Sequence, residues 1–126
     1  MATPTADRKT LLVVDDDEGT RDWLSVLLTR EGYAVALAPN GDEALRLLRS
    51  GFTPDLVVLD MVMPAGSGWQ FLEQVRTIPH LASLPVVMLT GAPLDRRSAE
   101  SYGCAGFLAK PIRKESLLAE IYRCLR

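Results

Sequence analysis

An α/β fold, a parallel sheet covered by helices on both faces, is what this sequence predicts. Two observations carry that expectation. Five short apolar runs alternate with five segments of helical period, the pattern of successive βαβ units. The run Leu56-Val57-Val58-Leu59 is apolar throughout rather than at every second residue, so both of its faces are covered. With 126 residues the chain reads as one domain. A chain of this length buries roughly two thirds of its unfolded surface and needs no staples to fold.

The elements follow in order. Residues 1–10, small and polar, read as a flexible N-terminal tail, which leaves residues 11–126 as the folded domain. Leu11–Val14 is the first strand, followed at once by Asp15-Asp16-Asp17-Glu18. Trp23, Leu24, Leu27 and Leu28 recur at helical spacing over Glu18–Arg30, and Gly32 closes that helix. Tyr33–Ala38 alternates larger and smaller apolar residues, which suits an outer strand. Asn40 with Glu43 caps a second helix that runs to Ser50 and carries Ala44, Leu45 and Leu48 on one face. The third strand ends in Asp60, and Met63-Pro64 turns the chain. Ser67 and Gln70 fit a capping box for a helix to Thr77, with Phe71, Leu72 and Val75 as its buried face. Pro79–Pro85 reads as a loop. Val86–Leu89 is the fourth strand, ending in Thr90-Gly91. Pro93–Tyr102 reads as a short, weak helix with the thin stripe Leu94, Ala99 and Tyr102, ended by Gly103. Phe107–Ala109 is the fifth strand, followed by Lys110-Pro111. Lys114–Leu125 is the last helix, with Leu117, Leu118, Ile121, Cys124 and Leu125 at the right spacing.

Composition narrows the function classes. Apolar content of 48% and charged content of 24% are those of an ordinary globular protein. Fourteen basic against sixteen acidic residues give a net charge of -2, which argues against a general nucleic-acid or membrane surface. Cys104 and Cys124 offer neither a disulfide framework nor a metal spacing and read as buried thiols in a reducing compartment. No apolar run approaches the ~20 residues of a membrane span. Arg8 and Lys9 precede only a short apolar run before the acids, which is no signal peptide. The expected location is the cytoplasm.

The strand ends carry the chemistry. In a parallel sheet all carboxyl ends lie on one edge, so Asp15, Asp16, Asp60, Thr90 and Lys110 converge there. Three carboxylates in one place repel, and a divalent cation relieves the repulsion. Oxygen ligands with no His or Cys point to Mg²⁺. Lys110 offers a point charge suited to phosphate, and Thr90 a hydroxyl donor. A carboxylate flanked by metal, ammonium and hydroxyl can act as a nucleophile towards phosphorus. Plainer readings fit the other candidates. Asp17 and Glu18 are solvated charges at a helix start. His80 is a surface residue, and Met61 and Met63 are packing or loop residues. Gly66 and Gly68 begin no dinucleotide fingerprint, and no phosphate-binding P-loop occurs.

Taken together, VVDDDE, VVLDMVMP, the LTG after the fourth strand and FLAKP resemble the receiver domain of two-component response regulators, over nearly the whole chain from Leu11 to Leu125. The resemblance implies a flavodoxin-like, doubly wound five-stranded sheet of order 2-1-3-4-5 with five helices. It implies that Asp60 is the phosphoacceptor, that Asp15, Asp16, Asp60 and the Val62 backbone carbonyl hold Mg²⁺, and that Lys110 pairs with the phosphate. Thr90 and Phe107 are then the switch residues. Pro64 and Gly68 match the turn after the phosphorylated strand, and Pro111 follows the lysine in what is often a cis peptide. The implied donor is a histidine kinase or histidine phosphotransfer protein. The implied output is a change in the face made by the fourth helix, fifth strand and fifth helix, read by a downstream protein that the sequence does not name. The chain is then a phosphoacceptor, not an enzyme in its own right. Two rival readings stand beside this one. An aspartyl-phosphate hydrolase would want a second Asp two residues after Asp60, where Val62 stands. A non-phosphorylated docking module would not need Asp15, Asp16, Asp60, Thr90 and Lys110 together. No effector segment follows Arg126, so a stand-alone regulator, a phosphorelay intermediate and a piece of a longer chain share this appearance.

Three departures from the family pattern bear on function. The segment between Thr90 and Lys110 is a couple of residues short, at the surface receivers commonly use for output. Phe107 lacks the hydroxyl of a tyrosine. Val62 is apolar where polar side chains are frequent, and it cannot orient a water by hydrogen bonding. Self-dephosphorylation is therefore expected to be slow, and Val62→Asn is expected to speed it several-fold. Loss of label from the phosphorylated protein measures this, and an unchanged or slower rate in the variant contradicts the expectation.

Overall fold

The computed structural model describes residues 8–61, 67–91 and 96–126. The chain runs β1 (Thr10–Val14), α1 (Glu18–Arg30), β2 (Ala34–Ala38), α2 (Gly41–Arg49), β3 (Leu56–Asp60), α3 (Ser67–Arg76), a 3₁₀ turn (Pro79–Leu81), β4 (Val86–Thr90), α4 (Arg96–Ser101), β5 (Gly106–Ala109) and α5 (Lys114–Leu125). Every strand pair is parallel, and the sheet order is β2-β1-β3-β4-β5. This is the expected flavodoxin-like arrangement.

Every residue of β3 and β4 is buried. Strand side chains alternate between faces, and the two faces are filled by different helices. Leu11, Val13, Leu56, Val58, Val87 and Leu89 pack with Leu24, Leu27 and Leu28 of α1 and Leu117 and Ile121 of α5. Leu12, Val14, Val57, Leu59, Val86 and Met88 pack with Ala44, Leu45 and Leu48 of α2 and Phe71, Leu72 and Val75 of α3. An uninterrupted apolar run is the sequence trace of this two-sided burial.

The caps are local and follow their residues. Asp17 caps α1, its Oδ2 accepting from the Thr20 N–H at 2.8 Å. Hydrogen bonds from the Thr20 hydroxyl and amide hold the Asp17 carboxyl below its ordinary value. The Asn40 side chain caps α2 by accepting from the Glu43 N–H at 2.8 Å. Gly32, at φ 97°, adopts the left-handed turn that ends α1.

Several expectations are corrected. Thr10, assigned to the tail, is already in β1, and its N–H donates to Asp55 Oδ2 at 2.7 Å. The loop after α3 contains the 3₁₀ turn, which opens on Pro79, a residue whose ring presets the needed φ. Trp23 and Tyr102 are not core residues; they are 43% and 49% exposed. Trp23 stands about 100° round the helix from Leu24, at the margin of the apolar stripe. Cys104 is buried as expected, but Cys124 is only half-buried. The α5 stripe includes a carboxylate, Glu120, that helical spacing of apolar residues does not reveal. The Met63-Pro64 turn, Gly66, the Val62 carbonyl, the helix start at Pro93 and Leu94 and most of the tail lie outside the described residues, as does the side chain of Ser67, whose backbone opens α3.

One close approach positions the end of β3. A Cβ on Gly68, in the first turn of α3, would lie 2.9 Å from both the Asp60 carbonyl oxygen and the Met61 Cα. These are backbone atoms and cannot swing aside. Ala gains about 1 kcal/mol over Gly in a helix, but overpacking costs about 1–3 kcal/mol. Gly68→Ala is therefore expected to lower stability by about 1 kcal/mol in urea unfolding, and a stabilised variant would contradict the close approach.

Candidate functional site

Register brings the site together. Val14 pairs with Leu59 across β1 and β3, so Asp15 and Asp60 are the next residues on neighbouring strands. Asp60 pairs with Leu89, and Thr90 pairs with Ala109, the residue before Lys110. Backbone bonds carry the pairing to the rim: Asp15 N–H to Ala38 O at 3.2 Å, Met61 N–H to Leu89 O at 3.0 Å, and Lys110 N–H to Thr90 O at 2.8 Å. Arg21 adds a tie that no motif announces, donating from Nη1 to the Asp15 carbonyl at 2.7 Å. Its one-dimensional trace is only an arginine one turn into the helix that follows an acidic strand end.

The rim is buried and strongly charged. Asp15, Asp60 and Thr90 are 1%, 2% and 3% exposed, while Asp16 is exposed. One carboxylate oxygen from each of Asp15, Asp16 and Asp60 lies within 4.8 Å of the others. Lys110 Nζ stands 3.3 Å from Asp60 Oδ1. That is longer than a charge-assisted hydrogen bond of about 2.7–2.9 Å, so the pair is a loose ion pair on a partly exposed, movable ammonium. The Lys110–Pro111 peptide is cis.

Asp15 is the carboxylate whose bonding is incomplete among the described residues. Its Oδ1 accepts from the Asp17 N–H at 2.9 Å. Its Oδ2 is buried and has no hydrogen-bond partner among the described residues. Burial pushes its carboxyl above the ordinary value of 3.8, and the negative charges of Asp60 and Asp16 push the same way. The Asp17 amide and Lys110 pull it partly back. An orphaned carboxylate oxygen, an all-oxygen donor set and three carboxylates facing one ammonium are what a hard divalent cation fits.

Phe107, on β5 opposite Met88, is half-buried against the core on the α2 and α3 face. Cys104 offers no competing nucleophile, because burial pushes its thiol up to about 11.

The family model for the response regulator receiver domain matches residues 11–122. The chain belongs to the response regulator receiver domain family. Among curated relatives of this receiver, Rre1 of Synechocystis, a response regulator, is 38% identical over 95% of this chain and 53% of its own length. A 14.6 kDa uncharacterized protein from the sodA1 3′ region of Leptolyngbya boryana is 41% identical over 81% of this chain and 79% of its own. Among solved structures, the chemotaxis response regulator CheY4 of Vibrio cholerae superposes with a TM-score of 0.84 at 31% identity, covering 94% of this chain and 99% of that one. The receiver spans about half the length, 48–54%, of Rre1 and six further curated relatives it matches. Among the described residues, no helix is long and apolar enough to cross a membrane.

The raised Asp15 carboxyl has a signed consequence. A folded-state value above the unfolded one favours folding most below the ordinary 3.8. That contribution is lost as pH rises through the raised folded value. In metal-free buffer, wild-type stability is expected to fall over that window more than that of Asp15→Asn. The variant is expected to be the more stable protein at pH 7. Chemical unfolding across pH measures both, and parallel curves would contradict the assignment.

Proposed function

We propose that this receiver is a phosphoacceptor switch in which Asp60 takes a phosphoryl group from a phosphohistidine of a histidine kinase or phosphotransfer protein. The supporting observation is the Asp60 carboxylate itself: buried at the end of the central strand, 3.3 Å from an ammonium and grouped with two further carboxylates. Asp15, Asp16 and Asp60 would hold Mg²⁺, with the Val62 carbonyl as the further ligand the family resemblance implies. The cation, when bound, neutralises carboxylate charge and charge developing on the phosphoryl oxygens.

The chain's own residues have distinct parts. An Asp60 carboxylate oxygen forms a bond to phosphorus while the P–N bond of the phosphohistidine breaks, and the departing imidazole nitrogen keeps that electron pair. The product is an acyl phosphate. Lys110 shifts from the Asp60 carboxylate to the phosphoryl oxygens, a move its partly exposed, flexible side chain permits. Thr90 donates its hydroxyl to a phosphoryl oxygen, and Phe107 follows the space Thr90 vacates. The new charge selects between two arrangements of the surface formed by α4, β5 and α5, which a downstream protein reads. A kinase donor of this kind puts the receiver in the cytoplasm.

Incubation with Mg²⁺ and a small phosphodonor, followed by mass measurement, tests the reading. One added phosphoryl group per chain is expected, none after Asp60→Asn and none with the cation chelated. Lys110→Ala is expected to slow uptake on the order of 10²-fold, the cost of removing one electrostatic contact to a developing charge. Turnover of many equivalents of a phosphomonoester would identify a hydrolase instead.

A further inference from the structure

The outer edge of β5 is covered in a specific way. β5 is the last strand of the sheet, and an edge strand presents N–H and C=O groups that need partners. Two side chains of α5 supply them. The Phe107 N–H donates to Glu120 Oε2 at 3.1 Å. Arg123 Nη2 donates to the Ala105 carbonyl at 2.8 Å. The two side chains are also locked together: Arg123 Nε lies 3.2 Å from Glu120 Oε1, and Nη2 lies 3.0 Å from Oε2.

The carboxylate has a made-to-measure seat. Glu120 is only 7% exposed. A Cβ on Gly106 would overlap Glu120 Oε2 and lie 3.0 Å from Cys124 Sγ, so any side chain at 106 would expel the carboxylate. Burying a charge is costly unless it is paired and hydrogen-bonded, and a leucine here would need neither. The group is therefore placed for what it holds, and it holds the backbone of Phe107.

We propose that Glu120, braced by Arg123, is a positioning residue that couples β5 to α5, so that a displacement of the strand at Phe107 moves the helix with it. This rests on the switch reading given above. The apolar packing of α5 is less specific. Leu117 and Ile121 belong to a cluster shared with β1, β3 and β4, against which Leu108 of β5 also packs. Such apolar contacts are non-directional and single out no one residue of β5. Charge-assisted hydrogen bonds fix direction as well as distance. The latch is thus the directional link between the strand that carries the switch aromatic and the helix that forms part of the output face.

Amide NMR on the full chain with Mg²⁺, before and after adding beryllium fluoride, tests the coupling. The wild-type protein is expected to shift at Phe107 in β5 and from Ile121 to Leu125 in α5. Glu120→Ala is expected to keep the β5 shifts and lose most of the α5 shifts. Its Phe107 amide is expected to exchange about tenfold faster, from the loss of one hydrogen bond to a charged group. Glu120→Gln, which keeps an oxygen for the Phe107 N–H, is expected to retain the α5 response. Gly106→Ala displaces the carboxylate without altering α5 and is expected to behave like Glu120→Ala; it decides the matter if Glu120→Ala does not fold. Full α5 shifts in a folded Gly106→Ala or Glu120→Ala whose Phe107 amide has lost protection would overturn the coupling while leaving the switch reading intact. No response anywhere in the wild-type protein would overturn the switch reading, and the coupling with it.

Discussion

The parallel register of β1, β3, β4 and β5 is the constraint on which the site depends. Asp15, Asp60, Thr90 and Lys110 come from four strand ends, and they share one rim only because all four strands point the same way. A slip of one residue would turn each strand-end side chain to the opposite face. The continuous burial of β3 and β4 makes such a slip prohibitive. The apolar core thus holds together a set of charges that would otherwise separate. Asp15, pushed towards its neutral form and with one oxygen left without a hydrogen-bond partner among the described residues, is where that strain is stored.

Under the proposed switch function that strain has a use. In the proposed switch, a rim of carboxylates beside a loosely paired ammonium suits a cation, which reduces the imbalance, and cation and ammonium together then offset the charge that a phosphoryl group adds. A tighter Lys110–Asp60 contact would stabilise the resting protein and oppose the transfer. The 3.3 Å separation leaves the ammonium able to move. Local cost at the site is offset by the two hydrophobic layers that α1 and α5, and α2 and α3, lay on the sheet.

The elements of the proposed output face are held differently from the central strands. α4 is short, and among its described side chains Ala99 is the one in the core. Its C-terminal end is fastened by polar and aromatic contacts. Arg76 of α3 donates to the carbonyls of Ala82, Leu84 and Gly103, and Trp69 meets Tyr102 edge-on with ring centroids 4.5 Å apart. Around β5, the Glu120–Arg123 pair has the same character. Directional contacts of this kind fix how the elements they join are oriented, whereas the close-packed core holds the central strands in place.

Much of this was legible in the residues. The limits of α1 and α5, the cap at Asn40, the two-sided burial of β3 and the identity of each strand-end residue all follow from period and turn chemistry, which act over a few residues; Asp17, read as a solvated charge, is in fact the cap of α1. The misjudged positions share a cause. Trp23 and Tyr102 are large and apolar, yet exposed, because Trp23 stands at the margin of the α1 stripe and Tyr102 lies in the turn after α4, against Trp69. Glu120 is charged, yet buried, because Gly106 on another element leaves it room. By itself, then, the sequence determined which elements form, in what order, and what chemistry stands at each strand end. Tertiary structure alone decided the 3.3 Å approach of Lys110 to Asp60, the hold of Arg21 on Asp15 and the seat of Glu120 against β5. Those distances depend on how separate elements are set against one another, which no local pattern encodes.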